Sequence, residues 1–171
     1  HVILLLTATD ADSVLPTINS RCRTVGLRPL ATPLVEEALL TRFGVNPNEA
    51  NLLAHLADGR VGWAVGAHRE PAALHDREAQ LVTLDQALGG SLVARFALAE
   101  TLARKADTLP PLLRTWLSWW RAMALLAFGP HRDDAISNID RVEQLHHLAG
   151  QWSRPQVLAA LRQTEAALRQ L

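Results

Sequence analysis

The chain has 171 residues, 17 Lys and Arg against 17 Asp and Glu, one cysteine, five tryptophans and no tyrosine. Balanced charge excludes the global basic footprint of a protein that grips nucleic acid unaided. A single cysteine excludes an internal disulfide and suits a reducing cytoplasm, and no stretch is long and apolar enough to read as a membrane span or shaped like a secretory leader.

The first expected element is the apolar run Val2-Ile3-Leu4-Leu5-Leu6, which reads as a buried strand of a parallel sheet. At its carboxyl end Thr7 and Thr9 place hydroxyls where open α/β sheets bind ligands. Ala11 to Ile18 reads as a short helix or turn containing Pro16. Ser20-Arg21-Cys22-Arg23 and a second extended piece, Thr24 to Leu27, follow. A lone strand cannot satisfy its own backbone groups, so a chain starting at His1 inside one is expected to be a piece whose upstream part is missing.

After Leu27 the period changes. Arg28 to Ala31 is a linker, and Thr32 with Pro33 is the expected N-cap and N1 of a helix. Leu34, Val35, Ala38, Leu39 and Phe43 give its apolar face, and Gly44 stops it. Asn46-Pro47 opens a second helix with Leu52, Leu53 and Leu56 inward, ended by Asp58-Gly59. A third short helix is expected through Arg60 to Val65.

Pro71 marks the next boundary, with helices expected from there to Leu171. The first is Ala72 to Leu88, closed by Gly89-Gly90. Ser91 caps the second, whose expected inner face is Leu92, Phe96, Ala99 and Leu102. Asp107-Thr108 with Pro110 and Pro111 starts a third, carrying Leu113, Trp116, Leu117, Trp120, Ala124 and Leu125 up to Gly129-Pro130. His131 to Asn138 reads as a polar loop, Ile139 to Gly150 as a fourth helix, and Ser153 with Pro155 as the start of a fifth.

Thr7-Ala8-Thr9-Asp10, a short spacer and then Leu15-Pro16-Thr17-Ile18-Asn19-Ser20-Arg21-Cys22-Arg23 resemble the sensor 1 strand and SRC motif of the clamp-loader branch of AAA+ ATPases, as found in bacterial DNA polymerase III. The resemblance implies a mainly α chain in three parts. These are the end of an AAA+ α/β domain at 1–28, a three-helix lid at 29–70 and a helical collar for oligomerisation at 71–171. It implies that Thr9 holds the sensor 1 position and that Ser20, Arg21 and Cys22 form the SRC motif. Arg21 is then an arginine finger acting in trans on ATP bound by a neighbouring subunit. A guanidinium suits that role because it is permanently charged and presents a planar fork matched to phosphate oxygens.

Active members of the family carry Gly-x-x-Arg-x-Ala at the third lid helix, whose arginine is sensor 2. This chain has Gly59-Arg60-Val61-Gly62-Trp63-Ala64, so a side-chain-less Gly62 stands at the sensor 2 position. No G-x-x-x-x-G-K-[ST] occurs in the sequence. The resemblance therefore implies a non-hydrolysing subunit with no cofactor of its own, and no catalytic activity of this chain alone. Its partners would be the gamma/tau and delta subunits and, through the complex, the sliding clamp and primed DNA in the cytoplasm, with no membrane. Two alternatives stay open: a gamma/tau-type ATPase subunit, or a helical adaptor with no nucleotide coupling. Close helix packing is a second reason for a glycine at position 62.

Other residues invite a role. Trp116, Trp119 and Trp120 share one helical face; stacking on single-stranded bases is conceivable, but core or interface packing is the stronger expectation because few basic residues flank them. His146 and His147 are adjacent and cannot both face one metal on a regular helix, so no metal site is expected. Cys22, apart from the motif, reads as a small buried residue.

Overall fold

The computed structural model describes residues 3–8, 14–129 and 136–171. Thr9, Asp10 and the stretch from His131 to Asp134 lie outside the described residues. The described chain is mainly helical and contains no strand. In order it forms α1 (Pro16–Asn19), α2 (Thr32–Phe43), α3 (Pro47–Leu56), α4 (Val61–Arg69), α5 (Ala72–Gly89), α6 (Leu92–Ala103), α7 (Leu109–Phe128), α8 (Val142–Gln151) and α9 (Arg154–Arg169).

Of the strand expected at 2–6, Val2 lies outside the described residues and 3–6 are not in a strand. Residues 3–8 carry neither helix nor strand, and Leu5 is 91% exposed. The physical reason is the one that makes lone strands rare: no second strand among the described residues offers its backbone groups. Thr24 to Leu27 is likewise irregular and exposed.

Three helices, α2, α3 and α4, close around a first core of Val35, Leu39, Val45, Ala50, Leu53, Ala54, Ala57, Ala64 and Ala67. Their boundaries follow from local chemistry. Pro33 sits in the first turn of α2, but the N-cap is Ala31 and not Thr32, which is already helical. Gly44 ends α2 in the left-handed region at φ 66°. The Asn46 side chain accepts the Glu49 N–H at 3.0 Å while Nδ2 of Asn46 donates to the Glu49 carboxylate at 2.8 Å, so both sides of the α3 entry are satisfied. Leu34 and Phe43, expected inside, are exposed; the buried stripe of α2 is narrower, Val35 and Leu39.

A second core gathers α5, α7, α8 and α9 around Leu81, Leu84, Trp119, Trp120, Ala122, Met123, Ile136, Leu145 and Val157. Trp119 is its largest fully buried side chain, at 1% exposure. Trp120 packs against Trp152 of the α8–α9 turn with ring centroids 5.2 Å apart and tilted by 51°. Trp116 is half-buried and its Nε1–H donates to the Gln80 carbonyl of α5 at 3.0 Å. α9 starts where Oε1 of Gln156 accepts both the Ser153 N–H (2.9 Å) and its hydroxyl (2.7 Å).

The inner face expected for α6 does not exist. No residue of α6 is buried, and Phe96 is 69% exposed. Its apolar spacing marks a face, but among the described residues nothing packs over that face closely enough to bury it. Leu125 of α7 is also exposed, its place in the core being taken by Met123 and Ala122.

The two cores are joined by α5 itself. Ala73 and Leu74 in its first turn pack on the first core, while Leu81, Leu84 and Leu88 belong to the second. Further ties cross the same junction: the His55 ring Nδ1 lies 3.1 Å from the Ile136 carbonyl, the Ser137 hydroxyl donates to Asp58 at 3.4 Å, and Arg121 stands 3.6 Å from the other Asp58 oxygen.

Candidate functional site

The segment carrying the SRC residues is a single turn with a short tail. Leu15 is the N-cap of α1 and Pro16 fills N1, where its fixed φ and missing N–H cost nothing. The turn is then held by Ile18 N–H and Asn19 N–H to Leu15 O (2.9 and 3.0 Å) and by Ser20 N–H to Pro16 O at 3.0 Å. Two side chains converge on one acceptor, because Nη1 of Arg21 donates to Thr17 O at 2.7 Å and the Ser20 hydroxyl donates to the same oxygen at 3.3 Å. Arg21 is exposed and makes no ion pair among the described residues. One of its nitrogens is thus held and the rest of its fork faces solvent. Cys22, expected to be buried, is exposed, since the tail beyond α1 packs on nothing that would cover it.

Ser20, Arg21 and Cys22 are therefore together on one exposed turn. Thr9 lies outside the described residues. No hydrogen bond or ion pair links this turn to α4 among the described residues.

At the start of α4 the two glycines differ in kind. Gly59 has φ 79°, and a Cβ there would lie 2.6 Å from both Leu30 O and Pro29 Cβ. The Leu30 N–H donates to Gly59 O at 3.0 Å, so the linker lies flat on this turn and only glycine fits beneath it. Gly62 has no such demand. Nothing stands within 4 Å of a Cβ built on it, and it is exposed. Close helix packing does not account for this glycine.

Beside Gly62 the chain builds a feature that sequence reasoning missed. Arg60, the N-cap of α4, sends Nε to the Ala57 carbonyl at 2.9 Å and lays its guanidinium over Trp63, 5.9 Å from the ring centroid. Burial holds this guanidinium below its ordinary value; Asp58 opposes that shift, and Arg114 and Arg121 add to it by repulsion. Arg60, Trp63, Arg77, Gln80, Arg114 and Ser118 line a cleft of about 220 Å³ where α4, α5 and α7 meet. Next to it Arg77, buried, grips Asp140 with Nη1 and Nη2 at 2.7 and 3.0 Å and also donates to Asn138 at 2.7 Å. No pattern in the sequence pairs residues 77 and 140 or 60 and 114, because packing across the junction creates both neighbourhoods.

His146 and His147 are exposed, and His147 bonds to Gln151 at 2.9 Å. Among the described residues no group of three His, Cys, Asp or Glu side chains could hold a metal ion, and no helix is long and apolar enough to cross a membrane. No protein-family model matches the chain, and comparison with curated proteins and with solved structures gives no match.

Proposed function

We propose that the chain is part of a non-hydrolysing clamp-loader subunit, of the delta-prime type found in the bacterial DNA polymerase III complex. In this reading α2 to α4 are the AAA+ lid and α5 to α9 the collar through which subunits assemble in the cytoplasm. Arg21 serves ATP bound by a neighbouring gamma/tau subunit, and the complex places the sliding clamp on primed DNA. The observation that carries the proposal is the run from Thr7-Ala8-Thr9-Asp10 to Ser20-Arg21-Cys22, with Arg21 on an exposed turn and most of its fork unoccupied. The open surroundings of Gly62 support it in a second way. A glycine that packing does not demand is consistent with a sensor 2 position that no longer serves nucleotide.

The test is ATP hydrolysis, stimulated by clamp and primed DNA, in a complex reconstituted with the full-length subunit. An arginine acting in trans on phosphoryl transfer contributes about 10³–10⁵ in rate at its own site. Arg21→Ala should silence the one site it faces and leave the others, so total turnover falls only in part while assembly stays intact. Arg21→Lys should be deficient too, because an ammonium lacks the bidentate fork. Wild-type hydrolysis and clamp loading with Arg21→Ala would reduce the residue to an ordinary surface cation.

A further inference from the structure

Arg60 and Arg114 both line the cleft between α4, α5 and α7, together with Arg77 and the carboxylate Asp76. Arg77 is saturated by Asp140 and Asn138. Arg60 hydrogen-bonds only through Nε, with its guanidinium over Trp63, and Arg114 makes no hydrogen bond or ion pair among the described residues. Asp58, outside the lining, attracts Arg60 and is shared with Arg121 at 3.6 Å. With Arg77 paired to Asp140, Arg60 and Arg114 outnumber Asp76 in the lining.

Guanidinium donors left unfilled on one cleft are available to an anion, which can accept charge-assisted bonds from both. The cleft also carries hydroxyl groups: Thr115 donates to Gln80 Oε1 at 2.6 Å, and the Ser118 oxygen accepts from Asn138 at 3.2 Å, which leaves the Ser118 O–H to donate. At about 30 Å³ for each water, the space holds roughly seven. A tetrahedral oxyanion and part of whatever bears it would fit.

We infer that this cleft binds a phosphate group, free or as the end of a small monoester, between the guanidinium forks of Arg60 and Arg114 with Ser118 as a further donor. Planar forks suit phosphate oxygens, and each charge-assisted bond is stronger than a neutral one. The site lies at the junction of the two cores, so occupancy ties α4 to α7. It is independent of any role for Arg21.

The experiment is calorimetric titration of the full chain at fixed ionic strength with inorganic phosphate, ribose 5-phosphate and ribose. Saturable binding of either phosphate compound, with none of ribose, is the expected result, and the tighter of the two identifies the source of the anion. Arg114→Gln should weaken that binding by about tenfold or more, while Arg162→Gln, exposed on α9, leaves it unchanged. Because Arg114 is exposed and repels Arg60, its replacement should not lower the melting temperature of the ligand-free chain. No saturable binding of either phosphate compound, equal binding of ribose, or an unchanged affinity in Arg114→Gln would overturn the assignment.

Discussion

Arg77 on α5 and Asp140, 63 residues further along, meet in a two-nitrogen grip at 2.7 and 3.0 Å, with Asn138 accepting a third bond from the same guanidinium. Asn138 in turn donates to Ser118 of α7 at 3.2 Å. One buried cation thus fastens the segment leading into α8 to both α5 and α7. Removing one partner of such a pair leaves the other charge uncompensated, which costs about 3–5 kcal/mol when the site is closed to water. Asp140 keeps a quarter of its side chain exposed, so the lower end applies. Arg77→Ala should lower urea-unfolding stability by about 3 kcal/mol. Arg77→Lys should recover only part of it, because the fork is lost. A loss below about 0.5 kcal/mol in Arg77→Ala would place the pair among ordinary surface contacts.

The neighbouring pair gives a pH prediction. Glu78 is held below the usual carboxylate range, first by its hydrogen bond from Arg141, with the positive charges of Arg141, Arg77 and His75 adding to the effect and burial opposing it. A carboxyl whose folded pKa is depressed contributes stability that is present above its unfolded value, about 4.3. That contribution is lost as pH falls through the folded value. Glu78 is nearly half exposed, so solvent screening limits it to about 0.5–1 kcal/mol. Glu78→Gln should be less stable than wild type at pH 7, and the gap should close below pH ~4. A gap independent of pH would remove the carboxylate from the explanation.

The two glycines flanking Arg60 should respond in opposite directions to alanine. Gly59→Ala forces a Cβ to within 2.6 Å of the linker backbone at a positive φ, and should destabilise by more than about 1 kcal/mol. Gly62→Ala adds a methyl to open space on a helix and should stabilise by about 0.5–1 kcal/mol. Paired melting curves of the two variants check both signs at once.

In the second core Trp119→Ala or Trp120→Ala should cost about 3–5 kcal/mol, whereas Phe96→Ala on α6 should stay within about 0.5 kcal/mol. The contrast follows from burial alone, since one face is packed and the other bare. If Phe96→Ala proved as costly as Trp120→Ala, the bare face of α6 would have to be covered in solution.

Much of the helical layout was legible because punctuation is local. Asn46-Pro47, Gly44, Pro71 and Ser153 act on backbone groups a few residues away, and each marks an end where the structure has one. What spacing could not supply was a partner. Leu92 and Phe96 repeat at helical intervals as well as Leu81 and Leu84 do, yet only the latter are buried against another helix. The run Val2 to Leu6 has the composition of a buried strand, but a strand is defined by its neighbour. The same limit hid the cleft, because Arg60 and Arg114 become neighbours only when two separate cores dock. The SRC turn was readable as a pattern, but its exposure and the open space at Gly62 were not, since both depend on what fails to pack there.

The helix α5 has a mechanical meaning beyond its part in the two cores. Its 18 residues form an unbroken rod about 27 Å long, with Ala73 and Leu74 anchored at one end and Leu84 and Leu88 at the other. No glycine or proline interrupts it before Gly89, so it has no hinge in which to dissipate a twist. An unbroken helix of this kind moves as one body, and Trp116, whose indole hydrogen-bonds its backbone at Gln80, is fastened to it.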